Sequence, residues 1–172
     1  IPAAAEDLKA GPGAPRHAMS IAAAMLYERF RAGRLPLAVV SMDNCSHNGE
    51  KLKAGICAVA DGWAAEGLVE HEFPEYLREE DKITFPWTMI DRITPRPADE
   101  VKENLLKAGL EDMEPVITGK HTYIAPFVNT EVPHYLVIED RFPNGRPPFE
   151  DVSGVYMTDR NTVNLSERMK VT

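Results

Sequence analysis

The spacing of apolar residues predicts helices that alternate with short apolar runs. Two segments carry apolar residues at every third or fourth position: residues 16–32, which Gly33 ends, and a segment after Gly49 that closes near Gly67. The apolar stripes consist of Ala22, Met25, Leu26 and Phe30 in the first helix, and of Leu52, Ile56, Val59 and Trp63 in the second. Each stripe is wide enough to bury one face of its helix.

Short apolar runs between the helices predict strands. Residues 37–40 form a run of the length of a buried strand, which suits a parallel sheet covered on both faces. Further strands are predicted at residues 89–94, 115–118, 135–139 and 155–158. Helices alternating with such runs predict an α/β fold with a mostly parallel sheet.

The remaining segments are predicted from turn and cap residues. Residues 1–15 are rich in Gly and Pro and are interpreted as a loop or a frayed terminus. Residues 140–150 are also rich in Gly and Pro and are interpreted as a loop. Residues 76–81 predict a short polar helix. A helix over residues 99–108 would face Val101, Leu105 and Leu106 inward and be capped by Gly109. Residues 164–167 resemble a capping arrangement that opens a final helix.

Composition and charge narrow the class of protein. The 172 residues include 19 Lys and Arg against 27 Asp and Glu, which gives a net charge of −8. An acidic chain without a basic cluster is a poor candidate for binding nucleic acid or an anionic membrane. No apolar run is long enough to cross a bilayer, so we expect a soluble protein. Cys45 and Cys57 form no metal or Cys-x-x-Cys motif, and we interpret them as reduced thiols in the cytoplasm.

The two ends predict an internal piece of a longer protein. The sequence begins at Ile1 without an initiator Met or a signal peptide. It stops at Thr172, shortly after the start of the last predicted helix.

The densest group of chemically useful side chains is residues 43–49, which follow the strand at 37–40 and precede a helix. In open α/β sheets this end of a strand faces the ligand crevice. Amide donors and a helix N-terminus there can stabilise developing negative charge on a bound oxygen. The same residue types are also favoured in an ordinary strand-to-helix turn. The motif therefore indicates the ligand side of the sheet without naming the ligand.

A second candidate is the charged pair Asp91 and Arg92, which interrupts an apolar run. These charges either face a cleft or form a structural salt bridge. The histidines show no spacing of a metal pair, and the chain has no Gly-x-Gly-x-x-Gly, phosphate-binding loop or Gly-x-Ser-x-Gly. We predict no metal site.

Four motifs, taken together and in order, resemble the mannitol dehydrogenase family of polyol dehydrogenases, and within it the fructuronate reductase (mannonate oxidoreductase) branch. The motifs are Ser-Met-Asp-Asn with Asn-Gly at 41–44 and 48–49, Met-Ile-Asp-Arg-Ile-Thr-Pro at 89–95, Tyr-Leu-Val-Ile-Glu-Asp at 135–140, and Ser-Glu-Arg-Met-Lys at 166–170. The match runs from about residue 16 to the end.

The resemblance implies two domains. Residues 1–158 would be the later part of an NAD-binding Rossmann-like domain, and residues 159–172 would open a mostly helical substrate domain. The nucleotide-binding glycine loop would precede this sequence, and the Asn and His that follow the family's catalytic Lys would come after it. The acidic residue that distinguishes NAD from NADP would also lie outside, so both cofactors stay open.

The resemblance also implies a metal-independent hydride transfer between NAD(H) and a small sugar or sugar acid. Lys170 would exchange the hydroxyl proton, Glu167 would relay it, and Asn48 would stabilise the alkoxide-like oxygen. Asp91 and Arg92 would line the substrate pocket, and Asp43 and Asn44 would lie nearer the cofactor.

From the residues alone, two other classes stay open. One is a non-catalytic α/β binding module in which the polar turn is structural. The other is an unrelated α/β enzyme, such as a sugar-phosphate enzyme, that shares only this turn.

Overall fold

A computed structural model describes residues 2–91, 97–120, 122–128 and 135–170. Its contacts divide the chain into two compact units. The first comprises the described residues of Ile1–Ile90 and Leu136–Thr172, and the second those of Asp91–Tyr135. The predicted boundary at residue 158 is not a boundary between these units, because the last helix lies within the first. That residues 159–172 open a helical domain stays a prediction.

Residues 2–10 are helical, so the loop predicted there was wrong, while residues 11–15 form turns and loop as predicted. Helix α1 spans Pro2–Ala10 and ends at Gly11, which has a φ of 77°. Three consecutive alanines have the highest helix propensity, and Pro is tolerated at the first helical position. The prediction gave too much weight to the Gly-Pro-Gly that ends the helix.

Asp7 of α1 ties this segment to the next two helices. Its carboxylate, 3% exposed, accepts hydrogen bonds from the amides of Arg16 (3.0 Å) and His17 (2.7 Å). Its carbonyl accepts one from Trp63 Nε1 at 2.9 Å. Donation by His17 and Arg16 lowers the pKa of Asp7 against the opposing effect of burial.

Three further helices enclose the core of the first unit. They are α2 (Ala18–Arg31), α3 (Asn48–Ala65) and α4 (Glu72–Tyr76). The first two confirm the helices predicted from the apolar stripes, although Met25 of α2 is exposed. Helix α4 lies ahead of the helix predicted at 76–81, because Pro74 is compatible with a first helical turn. The largest fully buried core side chains are Trp63, Tyr76, Phe73, Ile56 and Leu77.

A pair of short parallel strands lies against this core. Strand β1 (Leu37–Ala38) pairs with β2 (Ile83–Thr84) in the register Leu37–Ile83. The β1 strand confirms the run predicted at 37–40. The β2 strand was not predicted.

Three strands form a second sheet in the order β3-β6-β7. They are β3 (Thr88–Asp91), β6 (Tyr135–Glu139) and β7 (Val155–Thr158), and the last two are parallel with Glu139 opposite Thr158. These strands confirm the predictions near 89–94 within the described residues and at 135–139 and 155–158. Both strand pairs for which a direction is established in the first unit are parallel, as predicted.

The last helix, α6 (Arg160–Lys170), begins four residues before the predicted start. Asp159 is the side chain that caps it, accepting from the Thr162 amide (3.1 Å) and hydroxyl (2.8 Å). The capping arrangement predicted at residues 164–167 therefore lies inside the helix.

The second unit contains α5 (Asp99–Lys107) and a hairpin of β4 (Val116–Ile117) and antiparallel β5 (Tyr123–Ile124). Helix α5 confirms the prediction for residues 99–108. The inward orientation predicted for Leu106 was wrong, because this residue is 47% exposed, whereas Val101 and Leu105 are half-buried. Among the helices of the described ranges, none has the length and apolar character needed to span a membrane.

Candidate functional site

The loop after β1, the start of β3 and helix α6 enclose one cavity, which we call the site cavity. Its volume is about 210 Å³. The residues that line it are Asp43, Asn44, Cys45, Ser46, Thr88, Met89 and Glu167. Three residues that the resemblance placed at the site, Asp43, Asn44 and Glu167, are thus brought together from segments over a hundred positions apart.

Asn48 lies beneath the loop and is 1% exposed. Its amide nitrogen donates to the carbonyl of Asp43 (2.9 Å) and to Thr88 Oγ1 (2.7 Å). Its amide oxygen accepts from the backbone amides of Gly49 (2.7 Å) and Thr88 (3.0 Å). Both amide hydrogens are therefore occupied, and contact with a substrate oxygen would require one of these bonds to be exchanged. The predicted alkoxide contact of Asn48 stays a prediction.

Thr88 is the residue that joins the loop to the sheet, and the sequence reasoning missed it. Its hydroxyl donates to the carbonyl of Ser41 at 2.7 Å, and its side chain and amide hold Asn48. It is 2% exposed at the start of an apolar strand. The only sequence feature that could have indicated Thr88 is a hydroxyl residue next to Trp87 at the start of an apolar run.

Glu167 faces the loop from α6. Its carboxylate accepts the backbone amide of His47 at 3.2 and 3.3 Å. His47 adopts a left-handed conformation with a φ of 54°, stacks on Trp87 at 4.3 Å between ring centroids, and contacts Asn164 Oδ1 through Nε2 at 3.3 Å. An uncommon backbone conformation thus directs one amide at the carboxylate. No sequence pattern marked His47 for this position.

Cys45 lines the same cavity as a free thiol. Burial, with a smaller contribution from Asp43, raises the pKa of this thiol. It therefore stays neutral near pH 7 and is a poor nucleophile. Cys57, the other free thiol, is buried in the helical core. The prediction of two unpaired cysteines is confirmed.

Three predicted site residues are described only in part or not at all. Asp91 ends β3, the strand that carries Thr88, but its side chain is outside the described atoms. Arg92 lies outside the described residues. Lys170 is the last described residue of α6, three positions after Glu167, and its side chain is also outside.

The chemistry of the site cavity suits a ligand rich in hydroxyl groups. Two carboxylates, the Asn44 amide and the Ser46 hydroxyl line a small volume, and each can exchange hydrogen bonds with an alcohol. Lys170 follows Glu167 by three positions on α6. A carboxylate beside an ammonium group can pass a proton to and from a bound oxygen.

Comparison with known sequences gives consistent matches. Residues 7–151 match a family model described as the mannitol dehydrogenase Rossmann domain. The whole chain is 52% identical to a D-mannonate oxidoreductase of Thermotoga maritima, of which it covers 32%. It is 37% identical over 171 residues to a mannitol 2-dehydrogenase of Phaeosphaeria nodorum, covering 26% of that protein. The chain thus spans about a third or less of the length of these relatives.

Comparison with solved structures also gives matches to polyol dehydrogenases. Mannitol 2-dehydrogenase of Pseudomonas fluorescens, in a ternary complex with NAD and D-mannitol, superposes on 99% of this chain with a TM-score of 0.73 and 30% identity. A substrate-free D-sorbitol dehydrogenase superposes on 94% with a TM-score of 0.69 and 30% identity. This chain covers 30% and 29% of those two chains. The Rossmann-type α/β fold predicted from the sequence is confirmed.

Proposed function

Since this chain belongs to the mannitol dehydrogenase family, we propose that its full-length protein transfers a hydride between NAD(H) and a polyol or sugar acid. The observation that carries the proposal is the site cavity. There Glu167 accepts the His47 amide opposite Asp43 and Asn44, and the same helix reaches Lys170 three residues later. Family membership excludes an unrelated sugar-phosphate enzyme.

Within this class we propose a sugar acid of the mannonate/fructuronate type as the substrate. The support is the 52% identity to a D-mannonate oxidoreductase, against 37% to a mannitol 2-dehydrogenase. In reduction the carbonyl carbon receives the hydride and its oxygen receives a proton, which leaves an alcohol. NAD is proposed over NADP because the superposed mannitol 2-dehydrogenase binds NAD.

Lys170 is proposed as the group that exchanges the hydroxyl proton, and Glu167 as its relay. An ammonium group needs a depressed pKa for this role, which burial in a closed cleft would provide. The His47 amide donates to Glu167 and holds its carboxylate at the loop. A fixed carboxylate beside Lys170 can accept its proton and return it to solvent. No metal is required for these steps.

The remaining predicted residues are proposed to bind ligands. Asp91 and Arg92 are proposed for the substrate and Asp43 and Asn44 for the cofactor side of the cavity. Bound NADH would supply the hydride in reduction, and bound NAD would accept it in oxidation. Carboxylate and amide groups at the carboxyl end of β1 fit the ribose and nicotinamide end of such a cofactor, which this fold binds at strand ends. Asn48 keeps the loop in position and, by exchanging one bond, would reach the alkoxide.

The first test is a substrate panel with the full-length protein. Fructuronate, tagaturonate and fructose are offered with NADH or NADPH, and mannitol with NAD, while absorbance at the nicotinamide band is followed. We expect the largest kcat/KM with fructuronate and NADH. If no member of the panel turns over, the protein is a binding module and the proposal is wrong. Because it spans about a third of its relatives, the 172-residue chain alone is expected to be inactive.

The second test is the substitution Lys170→Ala in the full-length protein. Loss of the proton donor should lower kcat by at least about 100-fold, in the range of general acid–base contributions. Binding of NADH, followed by its fluorescence, should change little. The matched control is Arg168→Ala, which removes an exposed cation two positions earlier on α6. Equal kcat for Lys170→Ala and the control would remove Lys170 from the mechanism.

A further inference from the structure

The geometry points to Glu139 as the positioning residue that sets the two walls of the site cavity relative to each other. The loop wall is residues 43–46, and the helix wall is Glu167 on α6. Glu139 lies outside the cavity lining, so it acts through other residues. The inference rests on the proposed function where it is tested by enzyme kinetics. Where it is tested by amide hydrogen exchange, it rests on the geometry alone.

Glu139 ends β6 and is 2% exposed. Its Oε2 accepts the backbone amide of Trp87 at 3.0 Å, and the two oxygens accept Arg160 Nε (3.0 Å) and Nη2 (3.2 Å). Arg141 Nη1 lies 3.8 Å from Oε1. A buried carboxylate is costly unless it is paired and hydrogen-bonded, and here both oxygens have partners. The cluster therefore has one favourable arrangement.

The first connection from Glu139 to the site is through Arg160. Arg160 is the first residue of α6, and Glu167 follows seven positions later, about two helical turns along. A two-nitrogen contact between a guanidinium and a carboxylate fixes direction as well as distance. Glu139 therefore constrains the first turn of α6, the helix that carries Glu167.

The second connection is through Trp87. Glu139 binds this residue twice, since its own amide also donates to the Trp87 carbonyl at 2.9 Å. The Trp87 ring stacks on His47, whose amide donates to Glu167. The next residue, Thr88, holds Asn48 and with it the loop wall. The Arg160 guanidinium also lies over the Trp87 ring, 5.1 Å from its centroid.

Both walls are thus connected, through Arg160 and Trp87, to the buried carboxylate of Glu139. If Glu139 loses its charge, Arg160 loses its ionic partner and Trp87 loses a strong acceptor. Small displacements of reacting groups cost large factors in rate, about 100-fold for 1 Å. We therefore expect the chemical step to suffer while ligand affinity is kept.

The kinetic test uses Glu139→Gln in the full-length protein, which keeps the volume and removes the charge. We expect kcat to fall about 10-fold or more, with the KM for the keto substrate and the NADH dissociation constant within about 3-fold of wild type. The deuterium isotope effect on kcat, measured with 4-deuterated NADH, should rise as the chemical step becomes limiting. Glu139→Asp should recover part of the rate.

The matched control is Asp140→Asn. Asp140 is the next residue and also pairs with an arginine through two nitrogens, Arg146 at 2.7 and 2.8 Å. Among the described residues, no hydrogen bond or ion pair joins the Asp140 carboxylate to Trp87 or Arg160. Its kcat should stay within about 2-fold of wild type, as expected for an exposed pair. A merely destabilising change would lower kcat with the folded fraction and leave the isotope effect unchanged.

A structural readout separates this inference from the proposed function. Amide hydrogen exchange at His47 and Thr88 is measured in wild type, Glu139→Gln and Asp140→Asn, all without ligand. We expect exchange at both amides to accelerate at least 5-fold in Glu139→Gln alone. Unchanged exchange, or kcat within about 2-fold of wild type, would overturn the inference. Accelerated exchange in a protein that turns over no substrate would sustain the positioning and reject only the enzymatic proposal.

Discussion

At the scale of single residues, the site depends on one buried amide more than on its exposed charges. Asn48 makes its bonds to three segments: the loop through Asp43, the strand through Thr88 and its own helix through Gly49. These partners lie inside the protein, so removing the side chain leaves buried polar groups with fewer hydrogen bonds. The polar residues that face the cavity can be exchanged at lower cost to folding, because they are solvated in part.

We predict that Asn48→Ala lowers the free energy of unfolding by about 2–4 kcal/mol, because it leaves the buried Thr88 amide and hydroxyl with fewer partners. The measurement is urea denaturation followed by tryptophan fluorescence. The control is Asn161→Ala, at an exposed position of α6, for which we expect a change within about 0.5 kcal/mol. Equal stability of the two variants would mean that Asn48 is free to serve a ligand.

At the scale of elements, helix α3 lies against the segment that leads into β3. A Cβ on Gly49 would come within 2.5 Å of the Phe85 carbonyl oxygen and 2.8 Å of that of Pro86. Only glycine allows this approach. The contact sets the distance between the start of α3, which carries Asn48, and Thr88.

We predict that Gly49→Ala destabilises the protein by about 2 kcal/mol or more, because rigid backbone must move to admit the methyl group. Gly62→Ala, in the same helix, is the control. Its Cβ would meet only the flexible end of Leu8, at 2.8 Å. Alanine favours a helix interior by about 1 kcal/mol, so the control should be neutral or stabilised. Thermal unfolding compares the two, and similar midpoints would argue against the close packing.

The sequence predicted the helices and strands better than the tertiary contacts between them. Periodicity located α2, α3 and β6, because each buries a face within its own length. It did not predict β2, and it wrongly placed Leu106 of α5 on a buried face. The family motifs found Glu167, but not its His47 partner, which depends on a left-handed residue and on contacts across 120 positions.

At the scale of the whole molecule, the first segment is part of the folded core of the first unit. Asp7 binds the amides at 16 and 17 that lead into α2, and its carbonyl holds Trp63 of α3. Three helices thus share one carboxylate residue. The predicted frayed terminus would have left α2 without these bonds, and stability should therefore depend on the ionisation of Asp7.

We predict that stability falls in acid through Asp7, and that Asp7→Asn removes this dependence. Donation by His17, then Arg16, lowers the pKa of the folded state below the ordinary value of about 3.9. The unfolded chain therefore binds the proton first as pH falls. The stabilisation is fully present above that ordinary value and is lost as pH falls through the lowered pKa.

The measurement is the difference in unfolding free energy between wild type and Asp7→Asn from pH 7 to pH 2. It should be constant above about pH 5 and shrink below about pH 4, because protonated Asp7 resembles the amide. The other carboxylates are common to both proteins, so their contributions cancel in the difference. Asp151→Asn, which removes an exposed carboxylate, is the control and should differ from wild type by no more than about 0.5 kcal/mol at pH 7. If the difference in unfolding free energy does not change with pH, Asp7 stabilises the protein through packing and neutral hydrogen bonds and not through its charge.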